Sequence, residues 1–149
     1  MTRSSPILCA LACTLLAVAT HSPATAAGAR AAAAESAAFK KCMKASGGVT
    51  AAMHGCMGTE YARLDRQLNV TYRSVMKQLK TKQQRTRLVE VQRVWIWRRD
   101  NDCLARAKAQ GGGGTAGDLI YNDCRIQMVR KRIVWLTKVP ANPGYLTKV

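Results

Sequence analysis

Two long stretches of the chain repeat apolar residues at the spacing of an α-helix. In the first, apolar positions recur at steps of three or four residues, the period that brings side chains onto one helix face. Thr59 suits the N-cap and Glu60 suits the positive end of the helix dipole, so the pattern predicts a helix from Thr59 to about Lys80. Its apolar row consists of Tyr61, Leu64, Leu68, Tyr72, Val75 and Leu79.

The second stretch places apolar, aromatic and charged side chains on one face, and it predicts a helix over about 84–110. The inner row reads Leu88, Val91, Trp95, Arg99 and Cys103. A short polar connection between two long helices favours an antiparallel hairpin. In such a hairpin Asp65 and Arg99 both lie far from the connection. Because an unpaired buried charge is costly, the sequence predicts that they form an ion pair.

A third helix is predicted after four consecutive glycines, Gly111 to Gly114. The glycines are not followed by the GK[ST] of a phosphate-binding loop. Thr115 and Asp118 have the spacing of a capping box, and the helix is expected from about Ala116 to Lys138. No strand pattern of useful strength appears. The predicted fold class is all-α, a small disulfide-stapled bundle built on a long antiparallel helical hairpin plus a third helix.

The segments that flank these helices are expected to be less regular. Residues 27–41 are alanine-rich, and although alanine favours helix, this segment holds few large apolar residues. We expect it to be partly disordered, with frayed first residues and a short helix from about Glu35 to Lys44. His54 is expected in an exposed loop. Prolines predict a mobile tail over residues 140–149, which leaves residues 42–139 as the helical domain.

The first 26 residues have the pattern of a cleaved signal peptide. Arg3 supplies a positive start, an apolar core covers residues 7–19, and Ala24-Thr25-Ala26 is a small-x-small cleavage pattern. The core is shorter than the roughly 20 residues that span a bilayer. Cys13 lies in mid-core and lacks a convincing lipobox, so lipid anchoring is the less favoured alternative. The sequence therefore predicts a periplasmic or secreted protein, cleaved near Ala26.

Four cysteines follow the signal peptide: Cys42, Cys56, Cys103 and Cys124. An even number in a small exported chain indicates two disulfides, and four cysteines allow three pairings. We favour Cys42–Cys56 and Cys103–Cys124, because each closes a short segment that contains glycines. A zinc site that uses these thiols with His54 is the less favoured alternative, since there is no CxxC pair. No cofactor or metal is expected.

The charge of the chain bears on its partners. Loss of Arg3 with the signal peptide leaves 23 basic and 8 acidic residues, a formal charge of +15. Such a charge favours anionic partners, for example lipopolysaccharide, lipid headgroups or teichoic-type polymers, and nucleic acid is disfavoured by export. The basic third helix could also lie on an anionic membrane surface. The alternative is a solvated basic surface with no dedicated partner.

The two long helices carry two linked motifs, D-x-x-L-N-x-x-Y and Q-x-x-W-x-x-x-R-D-x-x-C. With these motifs, residues 42–136 resemble the LprI-like family, the N-terminal domain of the lysozyme inhibitor LprI. The residues that carry the resemblance are Cys56, Asp65, Leu68, Asn69, Tyr72, Gln92, Trp95, Arg99, Asp100, Cys103, Cys124, Arg132 and Leu136. We expect most of these residues to serve structure, as an internal polar network that fixes the register of the helices.

The resemblance implies an exported protein that binds and inhibits lysozyme or another muramidase. Typical animal lysozymes are basic, however, so a partner of charge +15 would meet them with repulsion. The candidate contacts for such a partner are the acidic residues Asp100, Asp102, Asp118 and Asp123. The alternative function is a basic envelope protein that binds anionic polymers or lipid headgroups without inhibiting lysozyme. An enzyme is not expected, because the sequence offers no nucleophile–base pair.

Overall fold

A computed structural model describes residues 26–147, which form helices and no strand. Five α-helices follow one another and a 3-10 helix closes the described chain. Their bounds are Ala26–Ala33 (α1), Ala37–Ala45 (α2), Thr50–Gln78 (α3), Lys82–Gly111 (α4), Gly114–Leu136 (α5) and Pro143–Leu146 (the 3-10 helix). The all-α, disulfide-stapled bundle predicted from the sequence is confirmed. The proposed signal peptide lies outside the described residues, except for Ala26.

Helix α3 begins nine residues earlier than the sequence pattern predicted. Val49, and not Thr59, is its N-cap, and the helix continues through Gly55 and Gly58. The disfavoured glycines are tolerated because this first part of α3 is held by tertiary contacts, with Cys56 and Met57 buried. His54 is exposed, as expected, but it lies on this helix and not in a loop.

The glycine segment contains the end of α4 and the beginning of α5. Helix α4 ends at Gly111, and its C-cap Gly112 adopts the left-handed conformation with φ of 61° that glycine reaches at little cost. Helix α5 then starts at Gly114 with Gly113 as N-cap and no side-chain cap. The predicted capping box of Thr115 and Asp118 is therefore wrong, since Thr115 already lies inside the first turn.

Helix α5 is the central helix of the bundle. Both α3 and α4 make their main backbone contacts with α5. Four apolar residues of α5 lie in the core and are at most 1% exposed: Ile126, Val129, Ile133 and Leu136. The C-terminal end of α4 comes very close to the start of α5. A Cβ atom on Gly111 would lie 2.5 Å from the Cα of Gly117, so this approach requires glycine.

The segments outside the predicted domain also contribute to the core. Ala29 and Ala33 of α1 are 1% and 4% exposed, and Leu146 of the 3-10 helix is 3% exposed. The first residues of the alanine-rich segment, which were expected to fray, form α1. The tail, which was expected to be mobile, packs against α4 through the 3-10 helix. Alanine accounts for the first difference, because its small side chain lets α1 approach α5 closely.

Both favoured disulfides are confirmed. Cys42–Cys56 joins α2 to α3, and Cys103–Cys124 joins α4 to α5, with Cα–Cα distances of 5.7 and 5.5 Å. All four thiols are therefore used in disulfides. Among the described residues, no helix combines the length and the apolar character needed to span a membrane.

A buried ionic network centred on Glu60 fastens the N-terminal helices to the bundle. The Glu60 carboxylate is 2% exposed and accepts hydrogen bonds from the Ser36 hydroxyl at 2.8 Å, Arg63 at 2.8 Å and Arg130 at 3.0 Å. Arg63 also donates to the carbonyls of Ala32 and Ala34 at 2.7 and 2.9 Å. The network thus links α1, α2, α3 and α5.

Candidate binding surface of α3 and α4

A shallow groove of about 280 Å³ runs between α3 and α4. It contains a carboxylate, two amides, a phenol and two guanidinium groups beside apolar side chains, a mixture suited to polar recognition. Six residues of the two sequence motifs line it: Asp65, Leu68, Asn69, Tyr72, Gln92 and Arg99. The structure therefore brings the two motifs together at the surface.

Arg99 lies at the groove with its side chain 9% exposed. Its guanidinium donates two hydrogen bonds to the carboxylate of Asp100, at 2.8 and 3.0 Å. The predicted Asp65–Arg99 ion pair is thus wrong: Asp65 accepts a hydrogen bond from Asn69 at 3.1 Å. The reason is local, because Asp100 adjoins Arg99 on the same helix, whereas α3 and α4 each pack mainly on α5 and stand apart at the groove.

The charges around the groove are coupled. Burial lowers the pKa of Arg99, but the hydrogen bond to Asp100 and the electrostatic influence of Tyr61, Asp100 and Asp65 outweigh burial, and the net shift is upward. Asp65 thus acts on Arg99 across the groove without a direct contact. The hydrogen bond from Arg99 lowers the pKa of Asp100, with burial opposing it. Asp100 is therefore an ionised carboxylate whose charge is largely offset within the protein.

Behind the groove, Arg132 of α5 fixes Gln92. The Arg132 guanidinium lies 3.8 Å from the ring centroid of Trp135 and 5.3 Å from that of Trp95, a cation–π arrangement. Its Nε donates to the Gln92 side-chain oxygen at 2.9 Å, and Nη2 donates to the carbonyl of Val91 at 3.3 Å. Since the Gln92 oxygen is used in this way, its amide nitrogen is the group it can offer to the groove.

Arg132 forms no salt bridge with a carboxylate among residues 26–147. Burial alone lowers its pKa to about 10, so the guanidinium still carries its charge at neutral pH. The two tryptophan rings take the place of a counter-ion. Trp95, Gln92 and Arg132 therefore form the kind of internal network expected from the sequence, and this network supports one wall of the groove.

A second cation–π cluster links α3 to α5. Arg125 stacks over Tyr61, with the guanidinium carbon 4.0 Å from the ring centroid, and donates to the Tyr61 hydroxyl at 2.6 Å. It also lies 5.2 Å from the centroid of Tyr121 and 3.6 Å from the Asp100 carboxylate. Asp100 is thus shared by two arginines, Arg99 and Arg125.

Beside the groove, α4 exposes a strip of side chains that the sequence reasoning missed. This outer face of α4 consists of Val94, Trp97, Asn101 and Leu104, at helical spacing. Trp97 is 66% exposed, Leu104 46% and Val94 42%. Isolated exposed apolar residues are ordinary on protein surfaces, but contiguous ones often mark a binding site. Their spacing is visible in the sequence, but spacing alone does not tell which apolar row of α4 faces solvent.

The four predicted acidic contacts do not form one patch. Asp100 is partly exposed and paired as described, Asp102 and Asp118 are exposed, and Asp123 is half-buried and accepts a hydrogen bond from Gln127 at 2.6 Å. Residues two apart on a helix point about 160° away from each other, so Asp100 and Asp102 lie on different sides of α4. Among these acids, Asp100 lies next to the outer face of α4, one turn from both Trp97 and Leu104.

Comparison with protein families identifies the chain. The model of the family described as lysozyme inhibitor LprI matches residues 42–136. The chain belongs to the LprI family. The matched region of this LprI family protein runs from Cys42 in α2 to the last residue of α5, and it contains both disulfides and the groove. No curated protein and no solved structure matches the chain.

Family membership confirms the resemblance noted in the sequence. The family is one of inhibitors and not of catalysts, and an inhibitor acts through a binding surface. In the described part of the chain, no group of three or more His, Cys, Asp or Glu residues is placed to hold a metal ion. The groove and the outer face of α4 together form the candidate binding surface of this LprI protein.

Proposed function

We propose that this LprI family protein is exported and inhibits a lysozyme or a related muramidase by binding to it. The observation that carries the proposal is the family match over residues 42–136, which include both disulfides and the three long helices. The two disulfides support a location outside the cytoplasm, because such bonds persist in oxidising compartments. The signal-peptide pattern of residues 1–26 is consistent with export to the periplasm or the medium.

The partner binds to the outer face of α4 and the adjoining groove. Tryptophan is the residue type most enriched among those that dominate binding energy, and Trp97 stands exposed between Val94 and Leu104. The polar groove beside it provides amide and carboxylate groups for a hydrogen-bonded rim. In this arrangement Trp97 is the anchor. Asp100 lies at its edge, but Arg99 and Arg125 offset its charge, so this carboxylate contributes as a hydrogen-bond acceptor at the rim.

Charge gives this proposal a distinctive salt dependence. A protein of charge +15 repels a basic lysozyme at long range, and salt screens that repulsion. If apolar contacts around Trp97 supply most of the affinity, inhibition becomes stronger as salt is raised toward physiological levels. Binding to an anionic polymer follows the opposite course, because its affinity falls steeply with salt.

The test is inhibition of cell-wall lysis by the purified, oxidised mature protein, with an animal c-type lysozyme and a bacterial muramidase at low and physiological salt. We expect stoichiometric inhibition of at least one of the enzymes. Absence of inhibition by an intact, folded protein at both salt concentrations would contradict the proposed function.

Two exposed valines provide a matched pair of variants for the binding surface. Val94 is 42% exposed on the outer face of α4, and Val70 is 43% exposed on the side of α3 turned away from the groove. Val94→Asp should weaken inhibition by roughly tenfold or more, and Val70→Asp should leave it nearly unchanged. Trp97→Ala should weaken it by roughly 30-fold, the usual loss at a dominant contact. Equal losses for the two valine variants would show that the partner binds elsewhere.

A further inference from the structure

A second pocket, distant in sequence from the α3–α4 groove, lies between α1 and the C-terminal part of α5. Its volume is about 510 Å³. Its floor is apolar and consists of Ala33, Val134 and Trp135. Its rim is basic and carries Arg30, Arg130, Lys131 and Lys138. None of the described residues that line this pocket is a carboxylate, which distinguishes it from the groove.

Most of the positive charge on this rim is uncompensated. Arg130 is neutralised by Glu60 at 3.0 Å. Arg30, Lys131 and Lys138 are exposed and form no side-chain hydrogen bond or ion pair with the residues that the structure describes. Three free cations thus surround an apolar floor. Lone solvated lysines are ordinary, but their convergence on a concave, partly aromatic surface is characteristic of sites for ligands that are both anionic and apolar.

The pocket is held open by internal bonds. Its α1 wall is fastened by Arg63, which donates to the carbonyls of Ala32 and Ala34 at 2.7 and 2.9 Å. Arg130 is held by Glu60, and the far face of Trp135 is covered by Arg132 at 3.8 Å. The wall, the floor and Arg130 of the rim are therefore fixed by contacts that need no ligand, and only the side chains of Arg30, Lys131 and Lys138 have to become ordered on binding.

We propose that this pocket binds the headgroup region of an anionic phospholipid and so brings the protein to an anionic membrane surface. The phosphate lies among Arg30, Lys131 and Lys138, and the glycerol and first methylene groups rest on Val134 and Trp135. Tryptophan favours the boundary between headgroups and acyl chains, and basic side chains are attracted to anionic leaflets. An anionic polymer would use the cations but would have no need of the apolar floor.

The experiment measures binding of the mature, oxidised protein to vesicles by sedimentation at physiological salt. Vesicles of phosphatidylglycerol and phosphatidylcholine are compared with vesicles of phosphatidylcholine alone. The test variant reverses two rim charges, Lys131→Glu with Lys138→Glu. The matched control reverses two exposed arginines of α3 that are likewise seven residues apart, Arg66→Glu with Arg73→Glu. Both variants change the net charge by the same amount, and circular dichroism checks that each is folded.

We expect the wild-type protein to bind only the anionic vesicles and the test variant to bind at least tenfold more weakly. The control variant should lose no more than about threefold, through the general field of the protein. Val134→Asn, which keeps every charge, should also weaken vesicle binding several-fold. Equal losses in the two charge variants would reduce the effect to net charge and overturn the proposal, as would full binding by Val134→Asn.

Two soluble competitors separate the lipid from other phosphates. Glycerol phosphate at millimolar concentration should compete weakly, because it lacks the apolar part. If glycerol phosphate or a long polyphosphate binds as tightly as the vesicles, with the same dependence on Lys131 and Lys138, the site is for free phosphate or a polyanion and the lipid assignment is wrong. Lysozyme inhibition by the test variant should match that by the Arg66→Glu, Arg73→Glu control, because both lower the net charge by the same amount, so this proposal and the proposed function succeed or fail separately.

Discussion

Replacing Glu60 with glutamine removes one negative charge from the network that fastens α1 and α2 to α3 and α5. The carboxylate is almost fully buried and accepts hydrogen bonds from Ser36, Arg63 and Arg130. Glutamine has the same shape but can serve these donors with one oxygen only, and it leaves two guanidinium charges without their counter-ion. The variant therefore tests how much this single carboxylate contributes to folding.

The magnitude follows from the pKa of Glu60. Burial raises this pKa, but the hydrogen bonds from Arg63, Ser36 and Arg130 outweigh burial and lower it from 4.5 to about 2. One pKa unit corresponds to about 1.4 kcal/mol, so ionised Glu60 stabilises the fold by about 3 kcal/mol at pH 7. A lowered carboxylate pKa stabilises the fold above the unfolded value of 4.5, and the stabilisation is lost as the pH falls toward 2. At pH 3 roughly half of this stabilisation remains.

The assay is urea unfolding of the wild-type protein and Glu60→Gln at pH 7 and pH 3. The difference in unfolding free energy should be about 3 kcal/mol at pH 7 and should fall by about half at pH 3. The control is Glu35→Gln, the same chemical change at an exposed residue whose nearest cation, Lys40, is 3.9 Å away; it should cost at most about 0.5 kcal/mol. If the two variants behave alike, or if the difference does not narrow in acid, the reasoning is refuted.

Three further changes test other parts of the bundle by urea unfolding. Gly111→Ala should destabilise the protein by about 2 kcal/mol or more, since its Cβ would overlap the backbone of α5 at 2.5 Å. Gly58→Ala, with open space around it, should stabilise the protein by about 0.5–1 kcal/mol. If both variants changed the unfolding free energy in the same direction, the close approach at Gly111 would be contradicted. Arg132→Lys should cost about 2 kcal/mol, because lysine loses the planar stacking on two tryptophans, and an unchanged midpoint would rule that contribution out. Cys103→Ser with Cys124→Ser should cost about 3 kcal/mol by loop entropy; a loss below about 1 kcal/mol would refute this estimate.

The features that the sequence did predict depend on local spacing. The inner row of α4, from Leu88 to Cys103, is buried as its period indicated, apart from the half-buried Trp95. The cysteines of the two disulfides are 14 and 21 residues apart, respectively. These segments are short, and the glycines within them suggest the pairing. Helix periodicity and short loops constrain the fold strongly, so these features follow from the chain itself.

The features that the sequence did not predict depend on partners remote along the chain. The sequence pattern places Glu60 in the first turn of a helix, but Glu60 is buried in mid-helix beside Arg130, which is 70 residues away along the chain. Nothing near Gly55 and Gly58 indicates that tertiary contacts would carry a helix through them. Arg99 pairs with its neighbour Asp100 and not with Asp65, because α3 and α4 pack mainly on α5, which the motif spacing cannot reveal. The exposed outer face around Trp97 is a different case, since its helical spacing is visible in the sequence. Spacing alone does not tell which apolar row of a helix faces solvent.

The central position of α5 also determines when the protein can fold during its synthesis. The helix on which α3 and α4 both pack is the last long one that the structure describes, so a nascent chain that ends before Gly114 lacks the helix that closes the core. The Cys42–Cys56 bond can form early, but the second disulfide must wait for α5. A core that is completed by α5 keeps the chain open until this helix has been synthesised, and an open chain is the form that the proposed export would require.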